Sequence, residues 1–450
     1  MTATTAPATP TVPCPQAPGR VPVLGHVPAL LRRPLTFFES IRTHDPLVRV
    51  EFGRFGLYLA SDPALVHRIQ VDSDAFERGR FFDVLAGHFG NPPIATDGAD
   101  HRHQRRTIQP AFSRTSVRDY TRTIVDEAER RFGAWRPGVP VAADEEVSDF
   151  VAAVVLRCLF SVDLDRALVR DIRHTLSLIS GKLFAGTVFP EALTSLPTPA
   201  NRRFEAAMGR FHAVIDALIQ DRRTTPGVTP DVLDILLKAT HPDTGRPFTD
   251  HEIRGEFLIL VFAALETTST SLTWAVFETA IRPAVQRRLY EESRRVLGGQ
   301  PLGYDSVKEF TYTRKVVDET LRLHAPMLST RRARHDVVLA GTLVPAGSEV
   351  GYSPRAMHRD PATYSDPHRF DPDRPEATPG QAPPPGAYAP WGLGVHRCIG
   401  EHLAATTMTA ALATLATRWE LRIAPGARIR MANSSLPHLR GLPLVVTPRG

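Results

Sequence analysis

The chain has 450 residues, 42% of them hydrophobic, and a formal net charge of +6 carried almost wholly by arginine, since only four lysines occur. The arginines are scattered, with no long basic run and no interleaved aromatics, which disfavours nucleic-acid binding and leaves a locally basic face for an acidic partner open. Cys14, Cys158 and Cys398 are odd in number and far apart, which argues against a disulfide framework or a zinc site and fits a reducing cytoplasm.

In chain order, residues 1–17 lack both the basic and the apolar segment of a signal peptide and read as a disordered leader; residues 18–450 read as one domain. Residues 48–66 alternate apolar and polar side chains around glycines, a hairpin signal. From about 98 to 325 the pattern is mainly helical. Val117, Tyr120, Ile124, Ala128 and Phe132 share one face, and Phe204, Met208, Phe211, Ile215 and Leu218 share another. Thr249 and Glu252 form a capping box ahead of the apolar run 257–277. That run is long enough to span a bilayer. It carries Glu266 and several hydroxyl side chains at its middle, where a carboxylate would be costly, so it reads as a core helix and no membrane anchor is expected. Two further helices follow, the second stopped at Pro326. Residues 336–352 read as short strands, 358–386 as proline-rich coil, and a last helix follows Cys398. The fold class is mainly α with small β-sheets.

Four features carry candidate chemistry. Cys398 follows Gly392 and Gly394, lies beside His396 and Arg397, and precedes Gly400 and a helix start. Cations and a helix N-terminus favour a thiolate; an ordinary loop cysteine is the alternative. Glu319 and Arg322 lie three apart on one helix face, either as surface decoration or, with Arg374, as a buried network that must be fully satisfied. Glu266 and Thr267 place an acid beside an alcohol in a core helix, where the threonine can bond back to the carbonyl four residues earlier. A satisfied polar pair is the other reading. His101 and Arg105, four apart, suit a ligand carboxylate or a solvated basic face.

The order and spacing of these motifs resemble one family, the cytochrome P-450 heme-thiolate monooxygenases. Trp391-Gly-Leu-Gly394-Val-His396-Arg-Cys398-Ile-Gly400 resembles its heme loop with Trp in place of Phe. Glu319 and Arg322, closed by Arg374, resemble its E-x-x-R helix, 263–268 its oxygen-binding segment with Ala264 in place of Gly, and His101/Arg105 its propionate motif. Over about residues 18–448 the resemblance is strongest to actinobacterial sesquiterpene oxidases.

The resemblance implies heme b with Cys398 as axial ligand, whose thiolate donation favours O–O cleavage, and O2 as co-substrate. It implies Trp391 against the heme, one propionate held by His101 and Arg105, another by Arg331 rather than its neighbour Arg332, and proton relay through Glu266 and Thr267. The expected pocket is Phe81, Phe82, Val84, Leu85, Ala263, Ala264, Thr268, Met327, Leu328 and Leu436. These walls are nearly all apolar and would select by shape, which suits a tricyclic sesquiterpene of secondary metabolism. No nucleotide-binding Gly-rich fingerprint is present, so electrons are expected from a separate ferredoxin and its reductase, and the protein is expected to be a monomer. The alternatives are a fatty acid, steroid or macrolide substrate, a heme-thiolate isomerase or peroxygenase, and a non-enzymatic heme sensor.

Overall fold

The computed structural model describes residues 12–449 except 42–44, 54, 90–91, 93, 164–165, 189–195, 197, 226–230, 242, 376–381 and 433–435. The helices start where their caps are. The Ser113 hydroxyl accepts from the Ser116 N–H at the head of Arg114–Phe132, Thr198 caps Pro199–Thr224 in the same way, and the Thr249/Glu252 box opens Asp250–Ala280. This last, the central helix, is the one described helix long and apolar enough to cross a membrane, and 67% of that apolar window is buried inside the protein. Its neighbour Ala143–Phe160 is also buried almost all round. Phe160 and Phe257 meet between them with ring centroids 3.9 Å apart.

A five-stranded sheet lies beside the helices. Its strands are β1 (Leu47–Phe52), β2 (Phe55–Ala60), β3 (Phe76–Arg78), β4 (Ser329–Ala333) and β5 (Glu349–Tyr352), in the order β1-β2-β5-β4-β3, with only β2 and β5 parallel. The β3/β4 register sets Arg78 directly opposite Arg331. Small sheets near the C-terminus close the fold.

Part of the expected leader, residues 12–17, is placed against the body of the fold. Residues 1–11 lie outside the described residues, but Val12 donates to the Gly341 carbonyl, Arg49 donates to Pro15, Ala17 donates to Arg49, and Ala17 is buried. The proline-rich strip thus adds to the edge of the sheet through the N–H donors that its non-proline residues keep.

Candidate functional site

The buried charge network forms first. Glu319 and Arg322 stand on the helix Thr311–Leu323, and Arg322 donates to both Glu319 oxygens at 2.7 and 2.9 Å. Arg374 does the same at 2.9 and 3.0 Å. The remaining guanidinium hydrogens reach the carbonyls of His358, Ser365, Pro367 and Arg369, and the Asp371 N–H donates to Glu319. The network pins the coil around 358–374 to the helix. His358 then accepts from the Ala389 N–H at 3.1 Å, which anchors the approach to the cysteine loop.

That loop turns on two left-handed glycines, Gly392 at φ +70° and Gly394 at φ +66°. A Cβ on Gly394 would come within 2.8 Å of the Gln70 carbonyl oxygen and 3.0 Å of the Val71 Cα, so the backbones touch there. At Gly400 a Cβ would lie 4.0 Å from both the Cys398 sulfur and Phe112, an ordinary contact, so protein atoms do not require a glycine there. The Cys398 N–H donates to the Trp391 carbonyl at 2.8 Å, and the helix Glu401–Arg418 begins just beyond. Burial pushes the Cys398 thiol up, while the Gly400 N–H, Arg105 and Arg397 pull it down. The loop charges and the helix end thus act in the expected direction against desolvation, and direct ligation to a cation would complete the deprotonation of the sulfur.

Cys398 opens into an internal cavity of about 460 Å³ between this loop and the central helix. Trp391, His396, Gly400, His101 and Arg105 line its cysteine side; Ala263, Ala264, Thr267 and Thr268 line the opposite side, and Phe82 and Leu436 are also on its wall. Five expected pocket residues are elsewhere. Leu85 is buried in the main helical core with Phe81 and Val84 against it, while Met327 and Leu328 pack with the N-terminal helices and β1–β2. Short-range apolarity could not tell which core each would join.

The acid and the alcohol diverge. Thr267 donates to the Ala263 carbonyl at 2.6 Å and faces the cavity. Glu266 does not line it; its carboxyl accepts from the Ser180 hydroxyl of the helix Arg166–Val188. Burial raises Glu266 to about 7, with Ser180 and Arg440 acting against the shift.

Beside the cysteine lies a buried cluster in which cations outnumber carboxylates. His101 and His396 rings are 4.3 Å apart, and His396 Nε2 bonds Asp97 at 2.8 Å. Arg105 donates to the Arg397 carbonyl, and Arg331 to Thr330 O and Gln70 Oε1. Arg332 turns the other way, to Glu349 and Asp83. Arg331 itself is not on the cavity wall; its cross-strand neighbour Arg78 is. Arg78 was not anticipated from sequence, because only the pairing of two strands 250 residues apart brings it here. Its Nε and the His396 Nδ1 are buried without a hydrogen-bond partner. Arg78 is held well below the usual guanidinium value by burial, then by Arg331, with Arg105 adding to it and Asp97 opposing. Burial likewise pushes His101 and His396 down to about 4. Such a cluster is costly unless an anion completes it.

Heme fits these features. Its two propionates would supply the missing carboxylates to Arg78, Arg105, His101 and His396, its ring would lie against Trp391 and the apolar wall, and its iron would meet one sulfur. Among the described residues no group of three or more His, Cys, Asp or Glu side chains could hold a bare ion, so a metal at Cys398 would have to bring its other ligands with it.

Comparison with known proteins agrees. Residues 15–443 match the family model "Cytochrome P450". The chain is 36% identical over 435 residues to cyclooctat-9-en-7-ol 5-monooxygenase of Streptomyces melanosporofaciens, covering 96% of this chain and 95% of that one. It is 33% identical over 438 residues to pentalenene oxygenase of Streptomyces avermitilis, covering 96% and 97%. In fold it is similar to the crystal structure of the cytochrome P450DA heme domain, with a TM-score of 0.86, 24% identity and 98% of each chain covered. A cysteine loop facing a cavity, a cation cluster short of carboxylates, and a match over nearly the whole sequence lead to one conclusion: this chain belongs to the cytochrome P450 family of heme-thiolate monooxygenases.

Proposed function

We propose that the enzyme hydroxylates an unactivated C–H bond of an apolar terpenoid in secondary metabolism, taking electrons from a ferredoxin and its reductase, as a cytoplasmic monomer. The observation that carries the substrate class is the cavity wall above Cys398, where Ile259, Leu260, Ala263, Ala264 and Leu436 present hydrocarbon and no acid or amine. Such a wall binds by area removed from water, at about 25 cal/mol per Å², and discriminates by shape. The relatives point the same way by their names, one taking a cyclooctatenol and one pentalenene.

Heme bound through Cys398 supplies the oxygen-activating chemistry, consuming O2, two electrons and two protons for each hydroxyl group formed and water released. The chain's own residues position and supply protons. Arg78, Arg105, His101 and His396 hold the carboxylate edge of the group. Ala264, with a methyl group where the family's segment has glycine, would narrow the groove beside it. The Thr267 hydroxyl has its hydrogen on the Ala263 carbonyl, so its oxygen is the free acceptor at the cavity. Glu266 is near 7, a suitable value for giving and taking protons at neutral pH. It stands behind Thr267 on Ser180, so a turn of its side chain would connect the two. Arg397 of the cysteine loop, paired with Glu401, and Arg102 and Arg106 of the Gly98–Ile108 helix are exposed, a basic face suited to steering an acidic ferredoxin.

The test is titration of the ferric enzyme with pentalenene, a linear fatty acid and a macrolide, read by the change to high spin. A response to the terpene alone is expected; a response confined to the fatty acid or the macrolide would overturn the substrate class. Replacing Cys398 by Ser should abolish the red-shifted Soret band of the reduced carbon-monoxide form.

A further inference from the structure

The apolar wall has a polar, titratable interruption that the reading above leaves unused. His324 lines the cavity at the end of the helix Thr311–Leu323. Its side chain is only 9% exposed. Three contacts fix its ring. The imidazole lies parallel to the Trp274 indole at 3.7 Å and 10°, its Nε2 is 2.6 Å from Glu278 Oε1, and Trp274 is held by its own N–H on the Pro437 carbonyl at 2.8 Å. Arg282 also bonds Glu278. The central helix supplies this face at helical spacing, with Thr267, Ser271, Trp274 and Glu278 separated by four, three and four residues.

The protonation state follows from the partners. Burial pushes His324 down to about 4, with Arg359 and Arg355 on the same side and Glu278 opposing, so the ring is neutral at pH 7. Glu278 already accepts from the Arg282 guanidinium, so it meets Nε2 as an acceptor. The single ring hydrogen therefore sits on Nε2, and Nδ1 is an acceptor. No hydrogen bond to Nδ1 occurs among the described residues. A fixed acceptor in an apolar wall is a cost with no return unless something donates to it, and a porphyrin edge of methyl and vinyl groups has nothing to donate.

We infer that His324 Nδ1 receives a hydroxyl group of the substrate, so that the enzyme acts on a terpenoid that is already an alcohol and not on the parent hydrocarbon. This rests on the terpenoid reading above and narrows it. It also places the enzyme in sequence: an earlier reaction, either a hydroxylation or the capture of water by a cyclising carbocation, must install that first hydroxyl. The hydroxyl on His324 then sets which face of the hydrocarbon skeleton is turned toward the reactive centre, giving an apolar wall the orientation that shape alone supplies poorly. Ser271, also on the cavity wall, is a second hydroxyl within the same stripe.

The experiment is a spin-state titration of the heme-loaded enzyme with two matched pairs: cedrene with cedrol, and adamantane with 1-adamantanol. His324→Phe keeps a ring on Trp274 and removes both nitrogens; His324→Asn keeps a polar group and removes the stacking. The wild type is expected to bind each alcohol more tightly than its hydrocarbon. His324→Phe should weaken alcohol binding about tenfold and leave hydrocarbon binding within twofold. A preference for adamantanol without response to either terpene would overturn the terpenoid class and support the anchor. Equal or weaker alcohol binding by the wild type in both pairs would overturn the anchor, whether or not the variants fold. So would an alcohol preference retained in His324→Phe.

Discussion

Two buried charge clusters flank the cysteine loop, and they differ in one respect. Around Glu319, every guanidinium nitrogen of Arg322 and Arg374 donates to a carboxylate or a carbonyl. Around Asp97, cations from β3, β4 and the Gly98–Ile108 helix converge on a single carboxylate, and two buried nitrogens have no partner. A complete network is a fastening: it holds the coil before Cys398 in register and asks for nothing. An incomplete one is a socket, and its deficit has the sign, the number and the position of a dicarboxylate. The same residue types thus serve structure in one place and ligand binding in the other, and satisfaction of hydrogen bonds, more than burial or charge, separates the roles.

Breaking the complete cluster should have the largest effect. Glu319→Gln leaves two guanidinium groups buried against a neutral amide, a loss of about 3–5 kcal/mol out of a total stability of order 5–15. The expected outcome is little or no soluble heme-loaded protein, measured as yield and as absorbance of the cysteinate-bound carbon-monoxide form. Normal yield and a normal spectrum would remove the distinction between fastening and socket.

The loop that joins the clusters should respond next, and unevenly. Gly394→Ala forces a left-handed alanine, at about 1–2 kcal/mol, and sets its Cβ against the Gln70 and Val71 backbone. Heme content and denaturation midpoint should both fall. Gly400→Ala meets only ordinary contacts at 4.0 Å and should change the midpoint little, within about 0.5 kcal/mol.

A lone buried acid sharpens the contrast from another side. Glu256, on the central helix, has an oxygen without a partner, and burial raises it to about 8. The folded state therefore keeps a proton that the unfolded chain releases near 4.3. Stability should fall as pH rises from about 4.3 to about 8 and level off above. Glu256→Gln should flatten that slope and stabilise the protein at pH 8, in urea titrations at pH 5 and pH 8. An unchanged difference between the two pH values would show that this acid does not ionise as described.

Smaller still is the expected effect of Ser180→Ala. Freeing Glu266 from Ser180 should leave substrate binding intact and move the pH dependence of coupling, measured as product formed per NAD(P)H. Thr267→Ala should instead divert electrons to peroxide at every pH. Identical pH profiles in wild type and Ser180→Ala would mean that Ser180 does not position the acid.

Much of this was legible in the sequence because the signals are local. The cysteine loop, the Glu319/Arg322 helix face, the Thr249/Glu252 cap and the acid–alcohol step are all set by spacing within one element. What could not be read depends on which elements meet. Arg78 becomes part of the site only through its register opposite Arg331. Met327 and Leu328 leave the cavity because the strand after Pro326 turns them into a second core. Glu266 has the expected position but a side chain turned to Ser180, a choice among rotamers that spacing does not encode. His324 reads in the sequence as the end of a helix, and only its stack on Trp274 shows it as a wall of the cavity.

The central claim is that the incomplete cluster is completed by the two carboxylates of heme, and Arg78 is where it is most exposed to test. The measurement is the rate of heme transfer from the ferric enzyme to excess apomyoglobin, for the wild type and for Arg78→Leu, with urea unfolding followed in parallel. Removing a socket cation should speed heme loss about tenfold or more while the unfolding of the polypeptide stays the same or improves, since a desolvated, partly unpaired charge has been taken away. Heme loss at the wild-type rate, or a polypeptide destabilised as strongly as by Glu319→Gln, would contradict the account.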